Sequence, residues 1–72
     1  MDFVVEVGRD LWGVEVKSAR TASSDMLTGL QSLAERAPRL KRKILVCMTD
    51  RRARLGDVEV LPIREFLAEL PP

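Results

Sequence analysis

Residues 2–17 have the sequence DFVVEVGRDLWGVEVK, in which β-branched and polar residues alternate on both sides of Gly8-Arg9. Alternation of this kind predicts two β-strands. A glycine at the first central position of a two-residue loop is typical of a type II′ hairpin turn. With this loop, the pairing register places Asp2 directly opposite Glu15. The segment therefore predicts a β-hairpin that carries two opposed carboxylates at the end away from its turn.

The same register sorts the hairpin side chains into two faces. One face is mostly apolar and is expected to form the core; it carries Phe3, Val5, Val7, Trp12, Val14 and Val16, with Asp10 at the turn. The other face is mostly polar; it carries Asp2, Val4, Glu6, Leu11, Gly13, Glu15 and Lys17. A three-residue loop would mix the two sets, which favours the two-residue loop.

The rest of the chain adds a helix, two strands and a second helix. Leucine and alanine at helical spacing predict a helix over residues 24–37. The apolar run Ile44–Met48 predicts a strand buried on both faces, parallel to the second hairpin strand and joined to it by a right-handed crossover. Asp57–Leu61 alternates and predicts an edge strand. Pro62 is expected at the start of a final helix over Ile63–Leu70.

These elements predict one α/β domain over residues 1–72, with the order ββαββα and a mixed sheet of about four strands. Trp12 and Cys47 are expected to be core residues. A chain of 72 residues buries only about 60% of its unfolded surface. Such a core rarely supplies more than about 3–5 kcal/mol. We therefore expect self-association, with a homodimer as the simplest form.

The composition excludes several classes of chemistry. The chain has no histidine and one cysteine, Cys47. It therefore has no Ser-His-Asp or Cys-His system, no internal disulfide and no zinc site of the His/Cys type. Any metal is expected to have oxygen ligands, so Mg²⁺ or Mn²⁺ comes first. No apolar run reaches the roughly 18 residues of a membrane span, and no signal-peptide pattern opens the sequence. We expect no membrane partner and a cytoplasmic location.

Asp2, Glu15 and Lys17 form the candidate catalytic group. Directly opposed residues on paired strands have Cβ atoms about 4.5–5.5 Å apart, so Asp2 and Glu15 are placed to share a divalent cation. Lys17 lies two residues beyond Glu15 and projects from the same face. Two acids and an ammonium in this arrangement suit metal-assisted phosphodiester hydrolysis. A solvated strand face with a Glu–Lys pair is the alternative.

Two segments carry a resemblance to a known family: DFVVE at residues 2–6 and VEVKS at residues 14–18. They resemble the PD-(D/E)xK, or restriction-endonuclease-like, nuclease superfamily, whose motif is an Asp on one strand and Glu-x-Lys on the next. The resemblance is closest to the nuclease-like C-terminal domain of a group of uncharacterised prokaryotic AAA-type ATPases. There, a leucine-rich helix similar to residues 30–35 follows. The resemblance covers almost the whole chain and implies a restriction-endonuclease-like core shortened at its N-terminus.

The resemblance also implies roles for individual residues. Asp2 and Glu15 would bind Mg²⁺ or Mn²⁺ together with the carbonyl oxygen of Val16, and Lys17 would be the catalytic lysine. The implied activity is metal-dependent hydrolysis of phosphodiester bonds in DNA. No Gly-x-x-x-x-Gly-Lys-Ser/Thr segment occurs, so the chain carries no ATPase motif. A non-catalytic nuclease-like module that binds nucleic acid or a protein is the alternative.

Basic residues are concentrated in one segment. Residues 36–54 contain eight Lys or Arg and a single acid, Asp50. In the expected topology, the loop Asp50–Gly56 emerges at the same end of the sheet as the acids. We therefore expect four arginines to hold a DNA backbone there: Arg20, Arg51, Arg52 and Arg54. An exposed loop without nucleic-acid contact is the alternative. Arg39, Lys41, Arg42 and Lys43 are expected to form a solvated turn at the opposite end.

Overall fold

The computed structural model describes residues 1–72 and shows an α/β architecture, with a five-stranded mixed sheet and two α-helices. The strands are β1 (Asp2–Val7), β2 (Asp10–Val16), β3 (Leu40–Cys47), β4 (Ala53–Leu55) and β5 (Val58–Pro62). The helices are α1 (Thr28–Arg36) and α2 (Ile63–Glu69). The strand order is β1-β2-β3-β5-β4. Pairing is parallel between β2, β3 and β5 and antiparallel at the two edges.

The hairpin prediction is confirmed. β1 and β2 pair antiparallel with Asp2 opposite Glu15 and Val7 opposite Asp10. Gly8 has a φ of +62°, and a Cβ built there would have no other atom within 4 Å. The turn therefore depends on the backbone freedom of glycine rather than on a lack of space. The predicted parallel pairing of β2 with β3 is also confirmed.

The first helix begins later than predicted. Residues Ser24–Leu27 form a 3₁₀ turn, and the α-helix runs only from Thr28 to Arg36. The Ser23 hydroxyl donates to the Asp25 carboxylate instead of capping a backbone N–H. This local bond leaves the first turn without a side-chain cap.

The strand predicted over Ile44–Met48 begins four residues earlier, at Leu40. The expectation of a solvated turn is therefore wrong for residues 41–43. Arg42 can lie within a strand because its guanidinium stacks on the Trp12 ring, 4.4 Å from the centroid, and pairs with Glu59. A charged residue with these partners is compatible with a half-buried strand position.

The second half of the sheet has one strand more than predicted. The expected loop Asp50–Gly56 contains β4, which pairs antiparallel with β5 through a turn at Gly56-Asp57. β5 is consequently not an edge strand, because it lies between β3 and β4. The order of elements is ββαβββα. The five strands replace the expected four because hydrogen bonding to β5 stabilises a short strand with weak propensity of its own.

Each face of the sheet has its own apolar cluster. One face joins Phe66 of α2 to Trp12, Val14, Ile44, Val46 and Leu61. The opposite face joins Leu27 and Leu30 to Leu45, Cys47, Val58 and Val60. α1 therefore covers the face of β2 that was expected to be polar, and Gly13 and Glu15 are buried. Neither helix, with nine and seven residues, approaches the length and apolarity that crossing a bilayer requires.

Candidate functional site

Glu15 lies near the end of β2, between the sheet and the first turn of α1. Its burial is nearly complete, with 3% of the residue exposed. Because side chains alternate along a strand, Val14 packs in the cluster on the α2 face while Glu15 projects toward α1. The structure therefore holds the carboxylate between two packed layers, in a position set by the core around it.

Asp2 lies opposite Glu15, and the two carboxylates share one small space. A Cβ built on Gly29 of α1 would lie 2.5 Å from Glu15 Oε1 and 3.5 Å from Asp2 Oδ2. Gly29 is the second residue of α1, so both acids lie beside the end of the helix at which its dipole favours negative charge. The predicted pairing of Asp2 and Glu15 is thus present, with α1 closing one side.

Positive charge surrounds the other oxygen of Glu15. The N-terminal ammonium of Met1 donates to Glu15 Oε2 at 2.9 Å and to the carbonyl oxygen of Val16 at 3.2 Å. The Nζ atom of Lys17 lies 4.0 Å from the same Oε2, and its side chain is 45% exposed. These contacts offset the cost of burying a carboxylate. Glu15, Val16 and Lys17 are consecutive residues at the end of β2, and the Lys17 ammonium lies beside the Glu15 carboxylate.

The oxygen ligands at this position fit a small hard cation in part. Asp2 and Glu15 would supply two carboxylates and Val16 one carbonyl, while no three or more Asp, Glu, His or Cys side chains are grouped so that they could hold a metal ion. Mg²⁺ commonly binds through one or two carboxylates and keeps several waters. These oxygen donors would therefore suit Mg²⁺ or Mn²⁺ better than a softer metal.

The four predicted DNA-binding arginines are divided between two regions. Arg20 and Arg51 are exposed and form no ion pair. Arg20 follows Ala19, whose carbonyl accepts from the backbone N–H of Met48 beyond the end of β3. Arg20 is therefore near the end of the sheet that carries the acids, and the loop containing Arg51 begins at that end as well.

Arg52 and Arg54 lie away from the acids. β4 is the edge strand farthest from β1, and four strand spacings amount to about 19 Å. Arg54 lies opposite Glu59 in the register of β4 and β5, and Arg52 forms ion pairs with Glu65 and Glu69 of α2. Both arginines line an open cleft of about 400 Å³. The structure does not bring Arg52 and Arg54 beside Asp2.

An ion-pair network on the α2 face was not predicted from the sequence. Arg42 donates to both oxygens of Glu59 and to Glu69, at 2.6–2.7 Å. The hydrogen bond from Arg42 lowers the pKa of Glu59 and of Glu69, and the bond to Glu59 raises the pKa of Arg42. The network ties β3, β5 and α2 together. Its sequence signal is weak, because the three residues are 17 and 27 positions apart.

The comparisons with known proteins give a family without an assigned activity. Neither the curated proteins nor the solved structures include a match to this chain. Residues 1–66 match the family described as "Domain of unknown function (DUF4143)". That range includes all five strands, α1 and each of the candidate site residues. The match spans nearly the whole chain, and the protein is therefore a member of the DUF4143 family.

Proposed function

We propose that this domain is a metal-dependent nuclease that hydrolyses phosphodiester bonds in DNA. One observation carries the proposal: the buried Glu15 lies opposite Asp2 across the hairpin, and its Oε2 atom is 4.0 Å from the Nζ atom of Lys17. The PD-(D/E)xK resemblance assigns Asp2, Glu15 and the carbonyl oxygen of Val16 to the metal, and Lys17 to catalysis. A buried carboxylate already paired with a cation marks a position that favours positive charge.

Each residue has a defined role in the proposal. Asp2, Glu15 and the Val16 carbonyl hold Mg²⁺ or Mn²⁺, which when bound polarises a phosphate and lowers the pKa of a coordinated water. Lys17 is partly exposed beside Glu15, so its ammonium can approach a phosphate oxygen and stabilise developing negative charge. Arg20 and Arg51 are exposed and lack ion-pair partners. In the proposal they contact the phosphate backbone of DNA near this end of the sheet.

Arg52 and Arg54 contribute at a distance in this proposal. They lie about four strands from Asp2, on the far edge of the sheet. Arg54 carries no ion pair, whereas Arg52 is paired with Glu65 and Glu69. Contacts from these two arginines would require a DNA segment that continues around the sheet, so their effect is on affinity rather than on the reacting phosphate.

A non-catalytic interaction module is the second candidate. It is favoured by the number of ligands, because only two carboxylates converge and no third acid, His or Cys joins them. No buried side-chain nitrogen or oxygen lacks a hydrogen-bond partner. Glu15 is thus satisfied by protein groups alone, as a structural ion pair would be. On this reading, the basic segment binds a nucleic acid or an acidic protein without chemistry.

Calorimetric titration with Mn²⁺ separates the two candidates. We expect wild type to bind one Mn²⁺ and Glu15→Ala to bind none, because the buried carboxylate is the central ligand. Glu6→Ala is the matched control, since Glu6 is an exposed acid on the same face of β1 and its loss should leave binding unchanged. Equal binding by wild type and Glu15→Ala would remove the metal site as assigned.

Cleavage assays then test the chemistry. Wild type should cut at least one of single-stranded, duplex or branched DNA in the presence of Mg²⁺ or Mn²⁺. If wild type binds Mn²⁺ through Glu15 but cuts none of these substrates, the interaction module replaces the nuclease as the better description.

A further inference from the structure

The close approach of α1 to the two acids depends on one residue that carries no functional group. Gly29 is the second residue of α1, and an added Cβ would meet Glu15 Oε1 at 2.5 Å and Asp2 Oδ2 at 3.5 Å. A Cβ atom in a real protein is essentially never as close to a non-bonded atom as the first of these distances. Any side chain at residue 29 would therefore move the Glu15 carboxylate.

Glycine is otherwise a poor choice for this position. In a helix, alanine is more favourable than glycine, because glycine loses more backbone freedom on folding. No positive φ requires a glycine here, unlike Gly8 and Gly56. The atom that would clash is the end of a flexible side chain, so a β-carbon could be accommodated if Glu15 turned away. The structure thus holds a glycine where helix stability favours alanine and where only the direction of the Glu15 carboxylate opposes it.

The geometry points to Gly29 as a positioning residue, whose missing side chain holds the Glu15 carboxylate, with Asp2, in the direction needed to bind a divalent cation. This inference rests on the proposed function, because it assigns Gly29 to the same metal site. Gly29 does not touch the ion. It acts through Glu15, by letting the first turn of α1 close on the acid while Glu15 Oε2 stays 4.0 Å from the Nζ atom of Lys17.

A metal titration of Gly29→Ala tests the positioning role. We expect Mn²⁺ affinity to fall by about 10–100-fold, the usual cost of losing a group that orients a ligand. Ser32→Ala is the control, because Ser32 is an exposed residue of the same helix. The Mn²⁺ affinity of this variant should equal that of wild type. Equal affinity for Gly29→Ala and wild type would overturn the positioning role and leave the metal site standing.

A stability cycle without metal tests the contact itself. In a Glu15→Ala background the obstructing oxygen is gone, so Gly29→Ala should raise the melting temperature, as helix propensity requires. In the wild-type background the same substitution should raise it less or lower it. Identical shifts in both backgrounds would overturn the inference, as would a double variant that fails to fold. If wild type binds no Mn²⁺, the proposed function fails, and the positioning role fails with it even when the cycle shows the contact.

Discussion

Glu15 is held by neighbours that act in different directions. Val14 and Val16 anchor the strand on one side of the sheet, while Gly29 of α1 closes over the carboxylate on the other. Lys17 remains partly exposed two residues along the same strand face. Burial makes every electrostatic contact of the carboxylate stronger than it would be in water. The exposed lysine is therefore the member of the group best able to meet a substrate without disturbing the core.

Lys17→Ala should lower the rate of metal-dependent DNA cleavage by about 10²–10³-fold, the usual effect of removing an electrostatic donor at the reacting group. DNA affinity should change little, because one lost phosphate contact alters the salt slope by only about 0.9. The melting temperature should be nearly unchanged, since the side chain leaves no cavity. Cleavage and binding titrations beside Lys41→Ala, an exposed lysine at the other end of the sheet, check the effect. Cleavage at the wild-type rate by Lys17→Ala would exclude its catalytic role.

At the scale of elements, α2 is attached to the sheet by charge as well as by apolar packing. Phe66 packs in the cluster beneath it, but Ile63 and Leu67 are exposed. Arg42 links the helix to β5 through Glu69 and Glu59, and Arg52 adds ion pairs to Glu65 and Glu69. A seven-residue helix is too short to be stable on its own, so these contacts determine whether α2 stays in place.

Arg42→Ala should lower the free energy of unfolding by about 2–3 kcal/mol, because it removes hydrogen bonds between charged groups and the stacking on Trp12. Arg39→Ala, an exposed arginine without an ion pair, should change it by less than about 0.5 kcal/mol. Urea unfolding followed by the fluorescence of Trp12, the single tryptophan, measures both. Equal losses for the two variants would show that the network adds nothing to stability.

The same network predicts a loss of stability in acid. The hydrogen bond from Arg42 holds the pKa of Glu59 and of Glu69 below the ordinary value of 4.5. A depressed pKa in the folded state gives stabilisation that is complete above the unfolded pKa and disappears as pH falls through the folded one. The melting temperature of wild type should therefore decrease as the pH is lowered past about 4.5. The difference in melting temperature between wild type and Arg42→Ala should become smaller in the same range. A difference that stays constant from pH 7 to pH 3 would contradict this.

The sequence predicted the hairpin because Gly8-Arg9 is flanked by alternating β-branched residues. Gly56-Asp57 is the same kind of loop between β4 and β5, but residues 51–55 lack that alternation, so β4 was missed. The location of Asp2 opposite Glu15 was predicted correctly. The burial of Glu15 was not predicted, because the alternation in β2 indicates only one core face. It cannot show that Gly29, in a later helix, lets α1 pack over the opposite face as well.

At the scale of the whole molecule, the core consists of two thin layers that share the central strands. Fifteen of 72 residues are buried, and both edges of the sheet are open. β1 has six residues and no proline, and its Phe3 and Val4 are exposed large apolar side chains. Unprotected edge strands of this kind are inclined to pair with another chain.

We therefore expect self-association, and Val4→Lys should reduce it. A lysine on an edge strand opposes pairing with another strand, and Val4 is already 41% exposed, so the substitution should cost little stability. Light scattering across micromolar concentrations should show a dimer for wild type and a smaller species for Val4→Lys, with similar melting temperatures. A wild-type monomer at every concentration, with a cooperative melt, would show that this edge is tolerated without a partner.

The candidate site joins two strands that differ in how readily they open. Asp2 lies on β1, which has one neighbour, whereas Glu15 lies on β2, which is hydrogen-bonded on both sides. In amide hydrogen exchange, edge strands exchange through local opening and interior strands only through larger unfolding. An ion bound by both Asp2 and Glu15 would link β1, which opens locally, to β2, which opens only in larger unfolding events. Saturating Mn²⁺ should therefore slow exchange in residues 2–7 far more than in residues 58–62, and equal slowing in both would show that the ion does not bridge the hairpin.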